Sequence, residues 1–302
     1  MTKLSVVISA YNAELKIKET LSAVSDFADE IIFINNSSTD NTREIAAKYT
    51  KKIFDRPNNP MLNVNKNFGF DQAQGEWILN LDHDEVITPE LKAEILSTIS
   101  LKESMTGYFI PRKNIIFGKW IAHTGWYPDY QLRLFRRGKG RFEEKHVHEF
   151  LKLEGEIGHL ENPMIHYNYE TITQFLLKMT NIYTPSEAEN LIKSGYRFKP
   201  YDVIRMPFQE FLSRFFARQG YRDGLHGLAI SLLMAFYHLI VFMRVWEFEK
   251  YKDPDVDSLH LLVDESKKTG KELRHWVVAS QNEQEKSAIK KYIRKARNRI
   301  KL

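Results

Sequence analysis

The chain has 302 residues, 43% of them hydrophobic and 27% charged, so it can bury a sizeable core and is not a disordered polypeptide. Cysteine is absent, which excludes a disulfide framework, a thiolate metal site and a cysteine nucleophile. The formal net charge is +5, and the final stretch KSAIKKYIRKARNRIKL carries eight Lys or Arg and no acid. This charge favours binding to an anionic surface, either nucleic acid or a membrane leaflet.

The first hundred residues alternate strand and helix patterns. The apolar run in MTKLSVVISAYN is short and lacks a cleavage-site pattern, so we expect a strand and not a signal peptide, and hence a cytosolic active site. The predicted strands are LSVVISA, EIIFIN, KKIFDR and EWILNLD. The predicted helices are AELKIKETLSAV, STDNTREIAAKY, VNKNFGFDQAQG and TPELKAEILSTI, the last with Pro89 near its first turn. This βαβα order predicts an α/β fold with a mostly parallel central sheet and helices on both faces.

Polar residues cluster where three of these strands end. Residues 9–12 follow the first strand, residues 35–37 follow the second, and residues 82–84 follow the fourth. Each cluster alone is also explained as an ordinary turn or helix cap. Ligands of parallel sheets bind beyond the carboxyl ends of the strands, so the shared position of the three clusters predicts a ligand site.

Three acids, Asp82, Asp84 and Glu85, lie within four positions directly after an apolar run. Mutual repulsion and desolvation both oppose this arrangement, so we expect a positive group beside them. Two carboxylates two residues apart can bind Mg²⁺ or Mn²⁺, which prefer oxygen ligands and bind substrate phosphates. Such a metal would neutralise the charge on a departing nucleoside diphosphate.

The motifs SAYNAE, INNSSTDNT and LDHDE, in this order and at these spacings, resemble glycosyltransferase family 2, whose nucleotide-sugar domain has the Rossmann-like GT-A fold. The resemblance covers roughly residues 3–170. Two later motifs, YPDYQLRLFRR and KHVHE, are most similar to the lipopolysaccharide inner-core glucosyltransferases. The resemblance implies an inverting, metal-dependent transfer of a hexose from a nucleotide sugar to a lipopolysaccharide core or another lipid-linked glycan.

The resemblance also implies a donor site. Its nucleotide-binding residues would be Ala10, Tyr11, Asn12, Glu14, Asn35, Lys66 and Asn67, with Asp82 and Asp84 meeting the ribose, the diphosphate and the metal. Asp40 would instead cap the following helix. Many relatives carry Asp where this chain has Asn35, and an amide both donates and accepts whereas a carboxylate only accepts. UDP is the favoured nucleotide.

An inverting transfer needs a base that removes the proton of the acceptor hydroxyl. The resemblance favours Glu149, which lies beside His146 and His148, and His148 could instead bind the metal. Two alternatives stay open: HVHE is a charged strand edge, or Asp84 or Glu85 lies closer to the acceptor.

Two arginines, Arg133 and Arg136, alternate with apolar residues as on a half-buried strand. A guanidinium group suits a diphosphate, so both are candidate donor-binding residues, with ordinary surface charge as the alternative.

After residue 170 the pattern becomes helical, which divides the chain into a catalytic domain, residues 1–170, and a helical region, residues 171–302. Residues 227–243 are almost uninterruptedly apolar but contain His238 and are shorter than the roughly 20 residues of a spanning helix. Nearby aromatic residues and arginines favour an interfacial helix on a membrane. A helical-bundle core or a homo-oligomer interface would give similar apolar stripes. The basic residues 286–302 could contact anionic lipid or be a solvated helix. The arginines near the apolar run 227–243 are Arg205, Arg214, Arg218, Arg222 and Arg244.

The expected protein is therefore a glycosyltransferase that is peripheral on the cytoplasmic face of the cell membrane. A polyprenyl-phosphate or protein glycosyltransferase is the alternative within the same class. A non-catalytic membrane-binding protein that retains the fold is the alternative of another class. Nucleic acid is not an expected partner, because paired carboxylates repel phosphate unless a metal intervenes.

Overall fold

A computed structural model describes residues 3–59, 61–101, 104–144 and 150–285. Its contacts divide the chain into two units, which are described separately. The first unit consists of Met1–Ile116 and Tyr127–Asn168, and the second of Phe117–Trp126 and Tyr169–Leu302. Residues 117–126 therefore belong with the helical unit, although they lie between two strands of the first unit in sequence.

Four parallel strands form one half of the sheet in the first unit. They are β1 (Leu4–Ala10), β2 (Glu30–Asn35), β3 (Lys52–Asp55) and β4 (Trp77–Asp82), in the order β3-β2-β1-β4. Ala10 pairs with Asn35 and Ser9 pairs with Asp82, so the carboxyl ends of β1, β2 and β4 lie side by side. The predicted α/β class and the parallel order of these strands are confirmed.

Four helices connect or follow these strands: α1 (Ile17–Val24), α2 (Thr42–Ala46), α3 (Leu62–Gln72) and α4 (Pro89–Ser100). Pro89 occupies the first turn of α4, where its missing N–H costs nothing, and the Thr88 hydroxyl accepts from the Leu91 N–H at 3.2 Å. The Asp40 carboxylate accepts from the Thr42 N–H at 3.0 Å, so it contacts the first residue of α2, but the N-cap position itself is Asn41 and not the predicted Asp40.

Helix α3 packs very closely on the sheet. A Cβ atom at Gly69 would lie 2.5 Å from Val7 Cγ1, so only glycine allows this approach of the helix to β1. The close packing sets the distance between the neighbouring residues of α3 and the ends of the strands.

Apolar clusters cover both faces of the parallel strands. Val6 and Ile8 of β1 pack with Leu21 of α1, whereas Val7 packs on the other face with Phe70 of α3. Burial on both faces explains why these strands read as continuous apolar runs and not as alternating patterns.

The sheet continues beyond β4 with antiparallel strands, in the order β4-β8-β6-β12-β5, and β11 pairs in parallel with β6. The sequence patterns predicted a strand only around Arg133. The remaining strands are β5 (Glu85–Val86), β6 (Gly107–Ile116), β7 (Lys119–Trp120), β8 (Asp129–Arg136), β9 (Gly140–Arg141), β10 (Lys152–Leu153), β11 (Ile157–His159) and β12 (Met164–Tyr169).

The described part of the second unit is mainly helical, as predicted. Its α-helices are α5 (Ile172–Lys178), α6 (Thr184–Lys193), α7 (Asp202–Leu212), α8 (Leu225–Phe248) and α9 (Ser258–Gln284). A π-helical turn joins α5 to α6, and another follows α7. Helix α8 has 24 residues, so it is longer than the apolar run of residues 227–243 suggested, and its length and composition would allow it to cross a membrane.

Candidate functional site

The loops after β1 and β2 hold each other in place at the carboxyl edge of the sheet. The Asn12 Oδ1 atom accepts from the Thr39 N–H at 2.8 Å, and Glu14 Oε2 accepts from the Asn41 N–H at 3.0 Å. Two predicted donor-site residues, Asn12 and Glu14, therefore shape the loops by hydrogen bonds. Ala10 is buried at the end of β1, whereas the neighbouring Tyr11 is exposed.

Asn35 is buried at the end of β2, and its amide has two partners. Its Nδ2 donates to Asp55 Oδ1 at 2.8 Å, and its Oδ1 accepts from the Ser38 N–H at 3.3 Å. The hydrogen bond from Asn35, together with Arg43 at 3.1 Å from the same oxygen, lowers the pKa of Asp55 despite the opposing effect of burial. A carboxylate at position 35 could not donate to Asp55 and would repel it, which explains why this chain has asparagine there.

Two cations bind the carboxylate of Asp82 at the end of β4. Lys66 Nζ lies 2.5 Å from Oδ1, and Arg133 Nη2 lies 2.5 Å from Oδ2. Burial alone would raise the pKa of Asp82, but Arg133 and Lys66 outweigh it and hold this pKa well below its ordinary value. The Asp82 side chain is still 29% exposed, so a ligand can reach it.

Glu85, the third acid of the cluster, is fully buried and serves as an internal counter-ion. Its Oε1 accepts from Arg133 Nη2 at 2.6 Å and from Arg112 Nη1 at 3.3 Å. Its Oε2 accepts from the Asp82 N–H at 3.0 Å. The sequence predicted that the positive group beside these acids is a metal. For Asp82 and Glu85 the structure provides Lys66, Arg133 and Arg112 as positive groups, and a metal at Asp82 stays a prediction.

The remaining acid, Asp84, faces a histidine that the sequence analysis did not select. His166 lies on β12, which runs antiparallel to β5 with His166 opposite Glu85. Its Nε2 lies 3.7 Å from Asp84 Oδ1. Burial lowers the pKa of His166, and Asp84 opposes this shift only in part, so the neutral imidazole is favoured.

Hydrogen bonds fix the tautomer of His166. Asn114 Nδ2 donates to Asp129 Oδ2 at 3.0 Å, which leaves Asn114 Oδ1 facing His166 Nδ1 at 2.7 Å. The Nδ1 atom must therefore carry the proton, and Nε2 presents a lone pair towards Asp84. Asp129 is held in turn by Arg112, at 2.6 Å from its Oδ2.

The pair of Asp84 and His166 fits a divalent cation. Two electron-pair donors face each other at 3.7 Å, a separation that one ion with ligand distances of roughly 2.1 Å can bridge. A histidine ligand that donates its other ring N–H to a carbonyl oxygen is the usual arrangement in metal sites. Within residues 3–59, 61–101, 104–144 and 150–285, no group of three or more His, Asp or Glu is arranged as a complete metal site.

The other predicted site residues are placed differently. Asn67 lies beside Lys66 on α3, but its amide binds the backbone of Phe142, accepting from N at 3.0 Å and donating to O at 2.9 Å. Arg136 pairs with Trp77 at the opposite end of β4 from Asp82, so the structure does not bring it to the other site residues. The predictions for His146, His148 and Glu149 fall outside the described residues.

A buried amide lies within β4 close to this cluster. Asn80 is fully buried, and the part of the chain that the structure describes offers no hydrogen-bonding partner to its Oδ1 or Nδ2. It is two residues before Asp82 and so faces the same side of the strand. An unpaired buried amide costs stability, so packing does not explain why asparagine occupies this position of β4.

The assembled edge brings cations, a carboxylate and a pair of metal-type donors together. It offers the cations Lys66 and Arg133, the partly exposed carboxylate of Asp82, and the donor pair of Asp84 and His166. His166, Arg112 and Asp55 were not predicted, because each is a single polar residue in or beside a strand and none belongs to a recognisable motif. Asp129 was also not selected, although it lies in the motif YPDYQLRLFRR.

Comparisons with known proteins agree with the sequence resemblance. Residues 5–152 match the family model described as Glycosyl transferase family 2. The lipopolysaccharide core biosynthesis glycosyltransferase LpsC of Rhizobium meliloti is 25% identical over 84% of this chain and 96% of its own length. A Campylobacter jejuni GalNAc(5)-diNAcBac-PP-undecaprenol beta-1,3-glucosyltransferase is 33% identical over 36% of each chain. The crystal structure of Staphylococcus aureus TarS 1-349 with UDP-GlcNAc aligns at 16% identity and a TM-score of 0.42, over 84% of this chain and 95% of that one.

Proposed function

Because the chain belongs to glycosyltransferase family 2, we propose that it transfers a hexose from a nucleotide sugar, with UDP favoured, to a lipopolysaccharide core or another lipid-linked glycan. The family assigns the enzyme class and the GT-A type of the α/β fold. The donor nucleotide, the inversion at the sugar carbon, the metal dependence and the acceptor are parts of the proposal.

One observation carries the donor-site proposal: Asp84 and His166 face each other beside the Lys66–Asp82–Arg133 cluster. Mg²⁺ or Mn²⁺ held by Asp84 and His166 would neutralise the diphosphate leaving group. Asp82 was also predicted to bind the ion. Because both of its oxygens are bound by cations, we assign it instead to the ribose, whose hydroxyls can donate to the exposed part of the carboxylate.

The residues of this chain would position the donor. Lys66 and Arg133 are held by Asp82, so their positive charges stay at the strand ends where a diphosphate would lie. The exposed Tyr11 ring offers a face for the base, and the exposed carboxylate of Asp55, held by Asn35, offers an acceptor at its edge. Arg136 is omitted because it lies at the other end of β4.

The base is proposed to be Glu149. A carboxylate that accepts the proton of the acceptor hydroxyl as the new bond forms would complete an inverting transfer. His148 stays a proposed third ligand of the ion, because Asp84 and His166 supply two ligands and a divalent ion of this kind takes more.

The names of two relatives support the proposed acceptor. LpsC is named for lipopolysaccharide core biosynthesis, and the Campylobacter enzyme for an undecaprenol-linked substrate. Both substrates are anchored in a membrane, so we propose a peripheral position on its cytoplasmic face. Polyprenyl phosphate is the second candidate acceptor, favoured by the same undecaprenol-linked relative. A non-catalytic protein would have no need to keep Asp84 and His166 facing each other.

Calorimetric titration with UDP, GDP, UDP-glucose and UDP-galactose, with and without Mn²⁺, tests the donor site. We expect binding of one nucleotide that requires the metal in the wild type and is lost in Asp84→Ala. Asp71→Ala is a matched control, because Asp71 forms an exposed ion pair with Arg141 away from the cluster. Equal binding with Mn²⁺ and with EDTA would refute the metal role, and no binding of any nucleotide would refute the donor assignment.

Glu149→Gln tests the base. The amide cannot take the proton, so transfer should slow by about 10²-fold or more while donor binding stays nearly unchanged. Turnover at the wild-type rate in this variant would place the base elsewhere.

A further inference from the structure

Helix α8 has one buried and one exposed apolar face. No Asp, Glu, Lys or Arg occurs between Leu225 and Met243. On one side of the helix Gly227, Ile230, Val241 and Val245 are buried, and α8 packs there against α6 and α7. A helix that is apolar all round is normally buried all round, so the opposite side needs an explanation.

Four large apolar residues project from that opposite side. Leu225, Leu232, Phe236 and Met243 are 77%, 52%, 43% and 40% exposed. They are separated by seven, four and seven residues, which places them in one line along an α-helix. We call this line the α8 stripe. It runs along most of the helix, and a continuous apolar stripe of this length marks an interaction surface.

Polar contacts on the packed side exclude a spanning orientation of α8. His238 Nε2 lies 3.6 Å from Glu210 Oε1, and Glu210 also binds Arg214. Arg244 Nε donates to the Thr184 hydroxyl at 2.9 Å. A helix that crosses the bilayer would carry Glu210, Arg214 and Arg244 into the hydrocarbon, at a cost of several kcal/mol for each charge.

We propose that α8 lies in the plane of an anionic membrane, with the α8 stripe inserted at the boundary between headgroups and acyl chains. The inference rests on the proposed function, because a lipid-linked acceptor requires the enzyme to work at such a surface. Beyond the proposed function, it specifies that the α8 stripe contacts the membrane and that this contact is interfacial.

Charge complementarity selects lipid as the occupant over a second copy of the chain. The chain carries a net charge of +5, and residues 286–302 alone contribute eight cations and no acid. Two such chains repel each other, whereas an anionic leaflet attracts both the basic stretch and the apolar stripe.

Vesicle sedimentation tests the α8 stripe. Wild-type protein and the double variant Leu232→Glu/Phe236→Glu would be mixed with phosphatidylcholine vesicles, with and without phosphatidylglycerol. We expect the wild type to bind the anionic vesicles at least tenfold more tightly than the double variant. Leu96→Glu, at an apolar position of α4 that is 39% exposed, is the matched control and should bind like the wild type.

A milder variant and two other measurements keep the outcomes distinct. Leu232→Gln/Phe236→Gln repeats the test without new charge, and circular dichroism verifies its fold. Vesicle binding equal to wild type in both double variants would overturn the proposal, as would a change from dimer to monomer in ultracentrifugation without loss of vesicle binding. Absence of wild-type vesicle binding would also overturn it, whereas failure of the proposed function would appear as loss of nucleotide binding in solution.

Discussion

His166 Nε2 lies 3.7 Å from Asp84 Oδ1, while the other ring nitrogen of His166 donates to Asn114 Oδ1 at 2.7 Å. The first distance joins two electron-pair donors, which repel each other. The second is a hydrogen bond that keeps the ring from turning Nε2 away from Asp84. The geometry of the pair therefore suits a bound cation, although the two residues are 82 positions apart in sequence.

Replacing His166 by Ala should weaken Mn²⁺ binding at least tenfold, since one of the two proposed ligands is removed. Calorimetric titration with Mn²⁺ in the absence of nucleotide measures this directly. His159→Ala is the control, because His159 is an exposed histidine on β11 of the same unit. Unchanged Mn²⁺ affinity in His166→Ala would remove this residue from the metal site.

Replacing Glu85 by Gln should destabilise the protein by about 3–5 kcal/mol, because Arg133 and Arg112 lose the buried carboxylate that compensates them. Urea unfolding gives the free energy difference. Glu76→Gln breaks the ion pair of Glu76 with Arg136, whose glutamate side chain is 61% exposed, and should cost less than about 1 kcal/mol. Similar losses in the two variants would contradict the assigned counter-ion role of Glu85.

Replacing Asn80 by Leu should stabilise the protein by about 1–2 kcal/mol, because a leucine with the same branched shape removes the cost of burying an unpaired amide. The same substitution at Asn65, whose Nδ2 donates to Asn36 Oδ1 at 2.8 Å and to Pro57 O at 2.9 Å, should instead destabilise it. Thermal unfolding compares the two variants. A loss of stability in Asn80→Leu would show that the amide is paired in solution.

The stability contributed by Glu210 should depend on pH. Burial raises the pKa of Glu210, but His238 and Arg214 outweigh it and lower this pKa from 4.5 to about 2. The folded state therefore binds its proton less readily than the unfolded chain does, so the contribution is present above pH 4.5 and is lost as the pH falls towards 2.

Glu210→Gln should accordingly cost on the order of 3 kcal/mol at pH 6, and this difference from the wild type should shrink as the pH falls from 4.5 to 3. Urea unfolding at several pH values measures it. Glu189→Gln, at a mostly exposed ion pair with Lys193, should show little dependence on pH. A difference that stays constant between pH 6 and pH 3 would contradict the lowered pKa.

The sequence predicted the parallel half of the fold well, because its information is local. β1, β2 and β4 are mainly apolar runs, and Thr88 with Pro89 marks the start of α4. The three strand-end clusters follow from the same pattern, since parallel strands all end at one edge. The helical nature of residues after 170 was also predictable.

The antiparallel half of the sheet was not predictable, and neither were the contacts of His166, Arg112 and Asp129, because they depend on long-range pairing. His166 becomes a partner of Asp84 only when β12 pairs with β5, and a lone histidine in MIHYNY gives no local signal. Asn35 looked like a departure in base recognition, but its neighbour Asp55, 20 positions away, gives it a structural reason. The extension of α8 beyond the apolar run likewise depends on packing and not on hydropathy.

Helix α3 has two consecutive residues with different partners. Lys66 reaches Asp82, and Asn67 holds the backbone of Phe142, three residues before the stretch 145–149 that contains Glu149. A displacement of α3 would therefore move both contacts together. The carboxylate at the end of β4 and the backbone of Phe142 are thus coupled through one helix.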